Sequence, residues 1–126
     1  MNDRIKMLRM KTYLLDELSA IDNGKYDHYY KIFFINEGVN TDTGGYSWGE
    51  KYVVCFESVK KLDMLPVHEV LHSLGLAHTF DAFSHNTWFS HRFCTTDNVM
   101  DYTQSCRVVT TKSLFHWQWQ VINKNM

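Results

Sequence analysis

Apolar residues recur at three- and four-residue intervals from Ile5 through Leu8, Met10, Leu14, Leu15 and Leu18 to Ile21, a period that predicts a helix over residues 3–22. Asn23-Gly24 supplies its stop, because both residue types tolerate the left-handed backbone that ends helices. The pattern then changes. Residues 27–36, DHYYKIFFIN, are aromatic and β-branched and predict a strand. Residues 37–50 carry four of the six glycines and predict a loop, and 52–57, YVVCFE, a second strand. A further helix is expected from about Asp63 to Leu74. Asp63 or a neighbour would cap it, Pro66 fits its first turn, where N–H groups lack intrahelical partners, and Gly75 ends it. From Leu76 to Thr110 no period is sustained, and so long an irregular segment in a compact domain is usually functional. Residues 111–123, TKSLFHWQWQVIN, predict a closing helix with Leu114, Trp117 and Val121 on one side and Phe115, Trp119 and Ile122 adjacent.

Helices alternating with separated short strands point to an α+β fold with a small sheet. The length, 126 residues and 14.9 kDa, predicts one domain over 1–126. Hydrophobic residues at 44% and charged residues at 21% exclude a disordered chain. Net charge is −1, so no global field favours nucleic acid or an anionic membrane. No run approaches the roughly 20 apolar residues of a membrane span. Met1–Met10 hold Asp3, Arg4, Lys6 and Arg9, which is no signal peptide. Three readings follow: a cytosolic chain, one whose export signal has been removed, or a piece of a longer one. The three cysteines form no Cys-x-x-Cys pair, which argues against a zinc ribbon.

Seven histidines are an excess, and their placement is informative. The string 68–78 reads His-Glu-Val-Leu-His-Ser-Leu-Gly-Leu-Ala-His. On a helix, His68 and His72 project from one face about 6 Å apart along the axis, which suits two imidazoles sharing an ion. Gly75 would break the helix and let the chain return His78 to the same ion. Three protein ligands leave a tetrahedral position open, the mark of a catalytic zinc site. Glu69 sits about 100° around the helix from His68. It is placed to take a proton from zinc-activated water and pass it to a leaving amine. Composition alone would produce the two histidines and the glutamate in roughly one or two per cent of shuffled chains, and the whole string in a few per 100,000.

The string resembles the extended zinc motif of the metzincin metallopeptidases, and Asn98-Val99-Met100-Asp101-Tyr102 resembles their Met-turn. His78-Thr79-Phe80 and the stretch from Asn98 to Thr103, with Cys106 beyond, are most similar to the pappalysin-like (cytophagalysin, ulilysin) branch. The segment 95–102, with His116-Trp117-Gln118-Trp119, is also similar to peptidase domains that end bacterial secreted toxins. The likeness covers about residues 65–122. It implies a minimal metzincin-like domain: a small twisted sheet, an active-site helix and a C-terminal helix. It implies one Zn2+ held by His68, His72 and His78, with Glu69 as general base. Met100 becomes the Met-turn methionine, and Tyr102 a phenol that can bind the metal or the tetrahedral intermediate. The strand 52–57 would form the cleft's upper rim and pair with an extended substrate. The implied protein is a monomeric zinc endopeptidase acting on peptides or proteins, with no nucleic-acid or membrane partner. It would be part of a larger secreted or effector polypeptide, delivered outside the producing cell. The chain departs from the pattern in opening at the first helix, and in Leu71 and Ala77, where relatives often carry a small residue and an aromatic.

Two other functions stay open: a non-catalytic zinc-binding interaction domain, and a toxin peptidase acting on cell-wall peptides. His28, His85, His91 and His116 read as surface or hydrogen-bonded histidines, with no spacing rule behind a second site from His85 and His91. Cys94 and Cys106 bracket the methionine turn as a disulfide, worth roughly 3 kcal/mol, or as two reduced thiols. Cys55 reads as a buried hydrophobe. The glycines around Trp48 make a mobile rim or a turn, and Trp117 and Trp119 read as core.

Overall fold

One strand with no polar face organises the sheet. The computed structural model describes residues 3–36, 44–56, 64–84, 86–102, 106 and 113–126. Among them are three strands, β1 (Lys31–Ile35), β2 (Gly45–Ser47) and β3 (Tyr52–Phe56), and three helices, α1 (Asp3–Asp22), α2 (Leu65–Ser73) and α3 (His116–Asn125). The fold is α+β, as the pattern predicts. The sheet runs β1-β3-β2, with β1 parallel and β2 antiparallel to β3. Val53, Val54, Cys55 and Phe56 of β3 are all buried, as expected of a strand covered on both faces. Central placement corrects the expectation that 52–57 forms the cleft rim. The edge strand is β2, inside the stretch predicted as loop. It pairs Gly45 with Cys55 and Ser47 with Val53. Three residues among glycines are too few to show an alternating pattern.

The first strand is shorter than predicted. Between Asp22 and Tyr30 the chain coils through successive turns, with Lys25 N donating to Asp22 O, Asp27 N to Gly24 O and Tyr29 N to Tyr26 O. Asn23 and Gly24 take φ values of 49° and 79° and end α1 as expected. Residues 57–63, with Asp63, lie outside the described residues. The N-cap of α2 is Met64, which makes no side-chain capping bond, and Pro66 occupies the first turn. The helix closes on Gly75, φ 88°, where Gly75 N donates to His72 O and Leu76 N to Leu71 O. This is a Schellman ending, and it reverses the chain sharply.

The core lies between α2 and α3. Leu71, Leu74 and Leu76 pack with Val99, Met100, Trp117, Val121 and Ile122. Each buried aliphatic side chain there contributes about 1.5–3 kcal/mol. Trp119, expected in the core, is 52% exposed. Its place is taken by Gln118, wholly buried because its Oε1 accepts from Asn98 Nδ2 at 2.6 Å and Phe115 N at 2.8 Å. The closing helix begins at His116 rather than at 111. Ser113 instead forms an isolated bridge with Asn98, its N donating to Asp97 O and its O accepting from Val99 N.

Candidate metal centre

His68 and His72 project from one face of α2, and the reversal at Gly75 carries His78 back to them. Asn86 Nδ2 donates to Gly75 O and Asn125 Nδ2 to Leu74 O, clasping that reversal from a loop and from α3. The three rings converge through Nε2. His72 Nε2 stands 3.1 Å from that of His68 and 3.1 Å from that of His78. Tetrahedral ligands at about 2.0–2.1 Å from one ion would be spaced at about 3.3–3.4 Å, so the spacing fits.

The outer nitrogens decide the tautomers. His68 Nδ1 lies 2.7 Å from Val99 O, and His72 Nδ1 2.7 Å from Leu76 O. A carbonyl oxygen can only accept, so both Nδ1 atoms carry the proton. His78 Nδ1 faces Asp81 Oδ2 at 3.1 Å, and the same carboxylate accepts from His78 N. Neutral rings so held present three bare Nε2 lone pairs to one another, which a cation relieves. A proton is a poor candidate. Burial first, and then the neighbouring histidines, depress His68 to about 3 and His72 to about 4. Among the described residues this is the one cluster of three or more histidine, cysteine or acidic side chains close enough to hold an ion.

Glu69 is 7% exposed, and burial lifts its carboxyl to about 7. With β2 residues Gly45, Tyr46 and Ser47, and with His72, His78 and Tyr102, it lines an open cavity of about 380 Å³. The Tyr102 ring lies 4.9 Å from that of His78 and 5.6 Å from that of His68. Burial, then the charges of Glu69 and Asp81, raise its phenol, so the phenol keeps its proton.

Met100 is fully buried, in a tight turn closed by Asp101 N donating to Asn98 O. Asn98 Oδ1 accepts from Met100 N, Val99 O holds His68, and Met100 O accepts from Thr79 N. The turn therefore fixes the ring of His68 and the segment carrying His78 through its backbone. Asp101 is 1% exposed and accepts from the backbone N–H groups of Cys94, Thr95, Thr96 and Tyr102 and from Thr96 Oγ1. Burial raises its pKa, but these bonds outweigh burial and hold it below the ordinary value. A disulfide joins Cys94 to Cys106, their Cα atoms 6.2 Å apart.

All six residues expected at the site lie among the described residues. His72, His78, Glu69 and Tyr102 line one cleft, His68 is buried with its Nε2 against that of His72, and Met100 stands in the core. Asp81 and Asp101 were not singled out from sequence, although Asp81 stands three residues after His78 and Asp101 directly after Met100. Of the other histidines, His28 and His116 are exposed, His91 packs its ring on Phe115 at 4.8 Å, and His85 lies outside the described residues. Comparison with protein-family models, curated proteins and solved structures finds no match to this chain.

Proposed function

We propose that the protein is a zinc-dependent endopeptidase of metzincin type. The observation that carries this reading is three imidazoles turned Nε2-inward by their own backbone and carboxylate partners, next to a buried glutamate on an open cleft. Three nitrogen donors suit zinc and leave room for a substrate atom. When bound at His68, His72 and His78, the ion would polarise a peptide carbonyl and acidify water. The remaining work falls to the chain. Glu69, buried and titrating near neutrality, takes a proton from the attacking water and delivers it to the leaving amine. Tyr102, a protonated phenol on the cleft, donates to the oxygen where negative charge develops. The outer edge of β2 offers backbone groups with which an extended peptide can pair. The substrate is a polypeptide, and the toxin-like stretch 95–102 makes a cell-wall peptide the alternative.

Glu69→Gln tests the assignment. It should keep its zinc while hydrolysis of an unfolded protein falls by about 10²–10⁴-fold. Undiminished hydrolysis would overturn the role of Glu69, and wild-type hydrolysis resistant to a chelator would overturn the zinc.

A further inference from the structure

Glu69 and Ser73 lie on one face of α2, four residues and about 6 Å apart along the axis. Gly45 and Ser47 share a face of β2, two residues and about 6.7 Å apart. The spacings match, so the strand can lie along the helix with Gly45 over Glu69 and Ser47 over Ser73. Both contacts are present. Ser47 Oγ is 2.7 Å from Ser73 Oγ. A Cβ placed on Gly45 would stand 2.8 Å from Glu69 Cγ, 3.1 Å from Glu69 Cδ and 2.9 Å from Val54 O. Ordinary contacts between carbon atoms are about 3.5–4.0 Å. Gly45 is not among the glycines with positive φ, so space rather than backbone conformation requires a glycine here.

We propose that Gly45 is a positioning residue: its missing side chain lets Glu69 seat beneath the rim strand beside the three imidazoles, with the Ser47–Ser73 hydrogen bond holding the register. The inference rests on the reading of Glu69 as general base. A methyl group at position 45 meets two obstacles that differ in stiffness. Val54 O belongs to the buried central strand and is held by the ladder. Glu69 Cγ and Cδ belong to a rotatable side chain, so the glutamate is displaced, while relief of the Val54 O contact takes a small shift of the rim strand β2 itself. The imidazoles stay, because Val99, Leu76 and Asp81 hold them independently of β2.

The test uses Gly45→Ala and Ser47→Ala, each loaded with Co2+ for spectroscopy and Zn2+ for kinetics. Both should bind one metal ion with Kd within about threefold of wild type, because metal-ligand supports remain intact. The visible spectrum of Co2+-loaded Gly45→Ala should show the pH dependence of Glu69→Gln rather than of wild type. Its kcat on a peptide should fall about 100-fold with KM little changed, the scale of an ångström misplacement. In a Glu69→Gln background the same change should cost less than about threefold, because the two act on one step. Ser47→Ala should move spectrum and kcat the same way by about tenfold. A wild-type spectrum and kcat in Gly45→Ala, or a loss that multiplies in the Glu69→Gln background, overturns the proposal. Should wild type cleave no peptide, the endopeptidase reading falls and the cobalt spectra alone decide Gly45. Should Gly45→Ala fail to fold, Ser47→Ala decides it: a wild-type spectrum there is a refutation.

Discussion

The two ends of the sheet are built on opposite terms. On the β1 side, α1 buries none of its described side chains: Ile5 is 47%, Leu8 59% and Ile21 82% exposed. Its apolar residues spread over roughly 220° of the helix at 100° per residue, too wide for one contact face. Phe34 of β1 is 72% exposed, and the Lys11–Glu50 ion pair reaches from α1 toward β3 at 2.8 Å. On the β2 side, α2, the 98–101 turn and α3 bury an apolar cluster, and several polar groups with bonded partners. The difference teaches that burial is concentrated where the three rings converge, and that buried polar groups set their orientation. A hydrophobic cluster is indifferent to ring rotation; Val99 O and Asp81 are not.

The largest break in this contrast should come from Asp101→Asn. An amide offers one acceptor oxygen where the carboxylate receives five donors, so the loss should be about 2–4 kcal/mol in chemical denaturation. Acid should come next, in the metal-free protein. Below 6.5 the unfolded chain protonates His68 and His72, which when folded resist protonation down to about 3 and 4. Glu69 opposes them: above 4.5 the unfolded chain has released a proton that the folded chain keeps up to about 7. These three groups leave the unfolded state one proton richer between about pH 4.5 and 6.5, so stability should fall on acidification by about 1.4 kcal/mol per pH unit. Below about pH 4 the slope should flatten as the folded chain itself protonates His72 and then His68, and denaturant titrations at stepped pH read both segments. Asp81→Asn should weaken zinc binding about tenfold by competition titration, because it loosens the ring of His78 without removing a donor nitrogen. On the opposite side, Ile21→Ser should change stability by less than about 0.5 kcal/mol. A loss comparable to that of Asp101→Asn would erase the contrast.

Much of the candidate site was legible because its three histidines are neighbours in the chain. The spacing of His68 and His72 needs only helical geometry, and the return of His78 needs only a residue such as Gly75 that takes positive φ. The 3–22 helix, the strand within 52–57 and the burial of Cys55 were equally legible. What was hidden depends on tertiary placement. Whether YVVCF is an edge or a centre is decided by what lies beside it, although an apolar run without alternation already favours a centre. Gln118 displaces Trp119 from the core only because Asn98 and Phe115 N wait for its amide oxygen. Asp101 has no spacing signature, since four of its five donors come from a loop seven to five residues upstream. The disulfide was one of two open states, and bringing Cys94 within reach of Cys106 is an outcome of the folded turn.

Every role proposed for the cleft depends on what the three Nε2 atoms bind. X-ray absorption at the zinc edge of the stoichiometrically loaded protein is the most direct measurement. It should show three imidazole nitrogens at about 2.0–2.1 Å and one oxygen donor, with the histidine signal reduced in His72→Ala. A sulfur shell at about 2.3 Å, or a spectrum unchanged by His72→Ala, would contradict it.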